Sequence, residues 1–265
     1  MENKKSLDIN CPFCGNELII YINLKNSQIL SCKNCKNALT YPPPKRPDYE
    51  NIEFNPGNSI IRNIDDLPKD WKDALLTFIE VIKKHIPSGS KILEIGCGDG
   101  LFLHELGKCG YNVLGIEPSK LNSEKAKARG LNVICGYFPN ISLEKSSFDL
   151  IVLTQVFEHI ENINEFIYQL EKFIPNKYLI LTQTNYLGMY PRIFRKRWYA
   201  WVPEQHFWHF SPEGLSFILS KLNFKCIDLK YSHLVHRHDI FYKFVSINDN
   251  WKDQFTMIFK NCNPK

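Results

Sequence analysis

Lys91-Ile92-Leu93-Glu94-Ile95-Gly96-Cys97-Gly98-Asp99-Gly100 is the stretch on which the fold turns. Its first five residues are mostly apolar and suit a short buried strand. Three alternating glycines follow, where the backbone must turn sharply and let a ligand approach closely. Leu101 to Cys109 then predicts a helix that closes near Gly110. Strand, glycine turn and helix in this order open a nucleotide-type binding unit in an α/β sheet.

The alternation continues on both sides of this unit. Upstream, Trp71, Leu75, Phe78, Ile79, Ile82 and Ile86 recur at three- and four-residue steps, so the run from Pro68 predicts an amphipathic helix. Downstream, strands are expected at 112–116, 132–135, 148–153 and 178–182, and helices at 121–129 and 164–173. Strands separated by helix-length segments imply right-handed crossovers and a parallel sheet covered on both faces. Ser211-Pro212-Glu213 opens another helix with a hydroxyl cap, a proline in the first turn and an early acid. Two final strands are expected at 224–231 and 240–247. The domain reading is a ribbon at 1–40, a proline-rich linker and approach segment at 41–67, an α/β domain at 68–250 and a C-terminal tail at 251–265.

The ligand of the glycine turn is read from its departures from the dinucleotide pattern. The third glycine falls at 100, and Leu101 stands where GxGxxG requires glycine. Glu94 and Asp99 flank the turn, and both repel a pyrophosphate docked on a helix N-terminus. They suit a cationic ligand that carries an amino group. S-adenosylmethionine is such a ligand, with a sulfonium, an α-ammonium and no phosphate. The next strand ends at Gly115-Ile116-Glu117-Pro118-Ser119, which puts Glu117 where a carboxylate accepts hydrogen bonds from ribose hydroxyls.

EIGCGDG at 94–100, GIEPS at 115–119, FDLIVLTQVFEHI at 148–160 and HFWHFSPEGLSFILSKLNF at 206–224 together resemble the class I S-adenosylmethionine-dependent methyltransferases. The resemblance covers about residues 70 to 250. It implies an α/β fold with a Rossmann-like seven-stranded sheet, helices on both faces and the last strand antiparallel. It also implies cofactor contacts at Glu94, Gly96, Gly98 and Gly100, ribose binding by Glu117 and adenine packing near Gly136 and Tyr137. Gln155 and Phe157 are then expected near the methionine part. Thr182-Gln183-Thr184-Asn185 departs from relatives that often carry a proline before the asparagine.

Nine cysteines divide into two groups. Cys11, Cys14, Cys32 and Cys35 form two CxxC pairs, while Cys97, Cys109, Cys135, Cys226 and Cys262 are scattered. Two tight turns that each offer two thiolates suit a tetrahedral zinc ion, and a full set of four leaves no open position, so the zinc is structural. Residues 17–24 and 27–31 read as two short strands between the knuckles. Unpaired cysteines of this kind indicate a reducing, cytoplasmic setting. Tyr41-Pro-Pro-Pro-Lys-Arg-Pro47 carries four prolines in seven residues and reads as a semi-rigid spacer.

Methyl transfer to a hydroxyl or carbon acceptor needs alignment and removal of a proton. His159 and Glu158 follow the fourth strand at the carboxyl edge, with His159 the candidate base. The aromatic segment 198–210 lies where this fold usually places an acceptor lid, and its aromatics either stack on a ring or sugar face or cover core, with His206 better placed than His209 to reach the acceptor. His233, His236 and His238 read as a surface loop. Arg192, Arg195, Lys196 and Arg197 form a dense basic cluster that reads as solvated.

Thirty-three basic against 28 acidic side chains give a formal charge of +5, spread along the chain. Residues 1–50 hold seven Lys/Arg against five Asp/Glu, and four thiolates on a divalent ion add about two negative charges, so the ribbon is near neutral. This counts against RNA, and the resemblance implies a small-molecule or saccharide-type substrate. A zinc-ribbon RNA methyltransferase and a catalytically silent partner-binding scaffold are the alternatives. No window reaches the roughly 18 apolar residues of a membrane span.

Overall fold

The computed structural model describes residues 9–51, 63–143, 148–173, 178–232 and 251–262. The periodic run after Pro68 forms α1 (Lys69–His85), which ends on three basic residues that suit the negative end of the helix dipole. The expected alternation follows as β4 (Lys91–Ile95), α2 (Leu101–Lys108), β5 (Asn112–Glu117), α3 (Lys120–Ala128), β6 (Val133–Cys135), β7 (Leu150–Thr154), α4 (Ile163–Glu171) and β8 (Tyr178–Thr184). The chain closes through α5 (Met189–Phe194), β9 (Trp208–His209), α6 (Pro212–Ser220), β10 (Phe224–Ser232) and β11 (Gln254–Asn261). Ser211 caps α6 by accepting from the Gly214 amide.

Seven strands make one sheet in the order β10-β11-β8-β7-β4-β5-β6. β4, β5, β6, β7 and β8 run parallel, and β11 is antiparallel to both β8 and β10. The chain leaves β4 toward β5 and later returns to β7 on its other side. That reversal opens a cleft at the carboxyl ends of these strands.

Alternation along the strands assigns the two faces. Leu150 and Val152 of β7 pack with α1 and α2, whereas Ile151 and Leu153 pack with α4 and α6. The strand expected at 240–247 lies outside the described residues. The antiparallel strand comes instead from the stretch read as a tail. A sheet centre needs an apolar run, and Phe255, Met257, Ile258 and Phe259 supply it, all nearly inaccessible.

The N-terminal segment folds as three antiparallel strands rather than two: β1 (Leu18–Asn23), β2 (Gln28–Cys32) and β3 (Ala38–Tyr41). β3 pairs with β9, so the α/β domain supplies the fourth strand of the ribbon sheet. The ribbon is therefore docked. Cys11, Phe13, Leu18 and Leu30 join the same apolar core as α4 and α6. The Asn37 amide donates to the Gly214 carbonyl at 2.9 Å, and the Ser211 hydroxyl donates to the Lys36 carbonyl at 2.8 Å. No helix among the described residues is long and apolar enough to cross a membrane.

Candidate active site

The glycine turn sits at the carboxyl end of β4. Gly96 and Gly100 both adopt left-handed φ, +75° and +78°. A Cβ on Gly96 would come within 2.5 Å of Val156, and one on Gly100 within 2.4 Å of Leu131 and 2.9 Å of Ala126. These positions therefore exclude larger residues by both backbone and space. Glu117, at the end of β5, pins the turn: its carboxylate accepts from the Gly98 amide at 2.8 Å and the Ser119 amide at 2.9 Å.

A cavity of about 990 Å³ lies against this turn. Glu94, Gly96, Gly98 and Gln155 of the expected cofactor residues line it. Gly100 stands behind as the N-cap of α2, and Glu117 acts on the turn from the side. Gly136 and Tyr137 follow β6 away from the cavity lining, and the Tyr137 ring carries the Arg46 guanidinium 4.5 Å above it. Phe157 does not reach the cavity. It is fully buried, stacked on Phe210 at 5.4 Å, because the short 3-10 turn 157–159 points it into the core.

The two acids at the turn have separate fates. Asp99 is paired, with Arg129 Nη2 at 2.7 Å from its carboxylate and Arg129 Nε donating to its carbonyl at 2.8 Å. Glu94 is 2% exposed, and its Oε2 has no hydrogen-bond partner among the described residues. Burial, then the neighbouring Glu117 and Asp99, push the Glu94 carboxyl well above its usual range. A buried acceptor left open in this way fits a cationic amino group. Gln155, in left-handed conformation at φ 53°, adds a buried amide nitrogen that also lacks a partner among the described residues. The residues present thus fit an amino-acid-bearing, positively charged cofactor.

The candidate acid–base residues meet in the same cavity. Glu158, His159 and His206 each bring a polar side-chain atom within 4.8 Å of the others'. Glu158 is buried and accepts from the Gln183 amide at 2.9 Å, so Gln183 of the departing 182–185 motif has a defined task. Burial pushes the Glu158 carboxyl up, against the lowering effect of His159. The rings of His159 and His206 are 4.7 Å apart and nearly perpendicular. Burial, with His159 and His209 nearby, holds His206 well below the usual imidazole range, so it is neutral. His209 lies behind it, buried, and burial lowers it to about 3.

Tyr199 lines the cavity from the 198–210 segment, as expected, whereas other lining residues had no such signal in the sequence. Trp71, Leu75 and Phe78 of α1 form an apolar wall, and Gln254 of β11 joins the lining. The helical period of α1 marked an apolar face, but not that part of this face would look into a cavity. Tyr49 approaches from the segment after the ribbon, and its hydroxyl lies 2.9 Å from His159 Nδ1. The cluster Arg192, Arg195, Lys196 and Arg197 is exposed on α5 and the following turn. His233, His236 and His238 lie outside the described residues.

At the ribbon, Cys11 and Cys35 sulfurs are 3.4 Å apart, as are those of Cys14 and Cys32, and all four lie within 4.8 Å of one another. Tetrahedral Zn–S bonds of about 2.3 Å require S···S separations of about 3.8 Å, within the range these four span. The donor set fits zinc.

A parallel sheet with one reversed strand, a glycine turn and an open buried carboxylate define the class I methyltransferase fold. The chain belongs to the family described as "Methyltransferase domain", which matches residues 64–229. Among curated relatives it is 32% identical over 154 residues to the mitochondrial ubiquinone biosynthesis O-methyltransferase of Rattus norvegicus, covering 50% of this chain and 43% of that protein. It is 30% identical over 166 residues to the ubiquinone biosynthesis O-methyltransferase of Rickettsia typhi, covering 57% of this chain and 68% of that one. The match thus spans less than half the length of the rat relative. Among solved structures, an S-adenosylmethionine-dependent methyltransferase from Mesorhizobium loti shares the fold, with a TM-score of 0.55 at 15% identity over 75% of this chain and 100% of that one.

Proposed function

We propose that this chain transfers a methyl group from S-adenosylmethionine to a hydroxyl oxygen of a small-molecule or saccharide-type acceptor. The observation that carries the reading is one cavity lined by both the open Glu94 carboxyl beside the glycine turn and the Glu158–His159–His206 cluster. S-adenosylmethionine supplies an electrophilic methyl when bound. Glu94 and Gln155 would receive its amino-acid part, and Glu117, which holds the turn, would bind the ribose.

The protein's remaining work is alignment and proton removal. His159 takes the acceptor hydroxyl proton as the oxygen–carbon bond forms and the sulfur–carbon bond breaks. Buried Glu158, held by the Gln183 amide, stands beside it. Neutral His206 bounds the cavity and orients the acceptor. The apolar wall from Trp71, Leu75 and Phe78 suits a ring or sugar face, and the relatives' printed activity, O-methyl transfer, agrees with an oxygen acceptor. The four cysteines hold a structural zinc away from the chemistry.

The test is label transfer from methyl-labelled S-adenosylmethionine to a panel that contains a catechol, protocatechuate, and free hexoses, with S-adenosylhomocysteine titrated in parallel. The expected result is saturable binding and a labelled product, with turnover lowered about 100-fold in His159→Gln. A folded chain that binds no S-adenosylhomocysteine overturns the reading.

A further inference from the structure

Tyr49 lies outside the residues matched by the family, in the segment that follows the ribbon. A turn at Asp48 presents it: the Asp48 side chain accepts from the Glu50 amide at 3.2 Å and from the Asn51 side chain at 2.6 Å. Contacts to the α/β domain hold both sides of this turn. Arg46 sits over the Tyr137 ring, and the Lys120 amide, at the start of α3, donates to the Glu50 carbonyl at 3.3 Å. Tyr49 is half-buried, and its ring meets that of His159 edge-on at 5.7 Å.

Two oxygens face His159 Nδ1, the Tyr49 hydroxyl at 2.9 Å and the Gln205 carbonyl at 3.3 Å. A carbonyl only accepts, so a bare Nδ1 lone pair would oppose it, whereas Nδ1–H can donate to both. In a neutral imidazole this leaves Nε2 as the unprotonated nitrogen. We propose that Tyr49 is a positioning residue that, with the Gln205 carbonyl, fixes the Nδ1–H tautomer of His159 and aims its Nε2 lone pair at the acceptor hydroxyl. The inference rests on His159 being the base. The role parallels any oxygen acceptor that orients a catalytic imidazole through its other nitrogen. Burial, with Glu158 next, holds the Tyr49 phenol up at about 12, so it stays a neutral hydroxyl wherever the base operates.

The experiment uses full-length, zinc-loaded protein labelled with nitrogen-15 at histidine, saturated with S-adenosylhomocysteine, and His159→Gln to assign the signals. The expected result is a protonated Nδ1 and a bare Nε2 at His159. Tyr49→Phe then moves both shifts toward a tautomer average, and lowers kcat about tenfold on the acceptor found in the label-transfer panel, with the KM for S-adenosylmethionine unchanged. A proton on Nε2 in the native protein overturns the inference, and this measurement does not depend on the variant folding. Native-like shifts in Tyr49→Phe overturn it equally. If the tautomer result holds but His159→Gln keeps full turnover, the positioning of His159 by Tyr49 is supported and the base assignment is what fails.

Discussion

Thr40, on the last strand of the ribbon, grips His209 across the interface between ribbon and α/β domain. The Thr40 hydroxyl donates to the His206 carbonyl at 2.7 Å, so from His209 Nε2, 3.0 Å away, it accepts. His209 therefore carries its proton on Nε2. One buried hydroxyl joins the ribbon to the segment that bears His206, a wall of the cavity.

Thr40→Val keeps the shape and removes both bonds, which leaves a buried carbonyl and a buried imidazole N–H without partners. The expected loss is about 2 kcal/mol of unfolding free energy, read from the urea midpoint at unchanged slope. A midpoint within error of the native protein would show that the ribbon contact contributes nothing net.

On the proposed reading, in which Glu94 receives the ammonium of the cofactor, binding is coupled to protons. In the empty site its carboxyl is raised above the usual range, and an incoming ammonium favours the carboxylate. Binding of S-adenosylhomocysteine should therefore release between about 0.5 and 1 proton per site, at pH values between the usual carboxyl range and the raised one. Affinity rises with pH across that window. Calorimetry in phosphate and in Tris, whose ionisation heats differ, reads the release directly. Glu94→Gln should abolish the buffer dependence and weaken binding.

Cys14→Ser removes one of four thiolates. Bound zinc should fall from about one to below about 0.3 per chain by elemental analysis. The Trp208 ring, 4.9 Å from Phe13 in the first knuckle, should report the loosening as a shift in emission. Full zinc content in this variant would remove Cys14 from the ligand set.

Asp228 on β10 binds α1 through Lys84 at 2.7 Å and His85 at 2.9 Å. The Lys84 ammonium, helped by His85, holds its carboxyl down at about 2 against the opposing effect of burial. A lowered folded-state pKa stabilises above the usual carboxylate value and is lost as pH falls toward 2. Asp228→Asn should thus unfold more easily than the native protein near about pH 6, with the gap closing below about pH 4. A gap of constant size across that range would assign the effect to shape rather than charge.

Much of the fold was legible because its signals are local. The run from Lys91 to Gly100 carries strand, turn and cap within ten residues, and the apolar steps of α1 are set by helix geometry alone. The paired cysteines were equally plain, since ligand spacing is itself a sequence property. The final strand lies at 254–261, in the stretch read as a tail, because register within a sheet is set by distant partners. Phe157 shows the same limit. The resemblance implies a place near the methionine part, but one step around a tight turn sends its ring into the core.

The sequence by itself determined the α/β class, the glycine turn with its acids and the metal-type knuckles, because each depends on neighbours within a few positions. Tertiary structure alone decided that Asp99 is spoken for by Arg129, 30 residues along the chain, while Glu94, five residues before Asp99, is left open. It also decided that the ribbon shares a sheet with β9, and that Tyr49 meets His159 across 110 positions. Such contacts depend on how packed surfaces close on one another, and no local pattern encodes that.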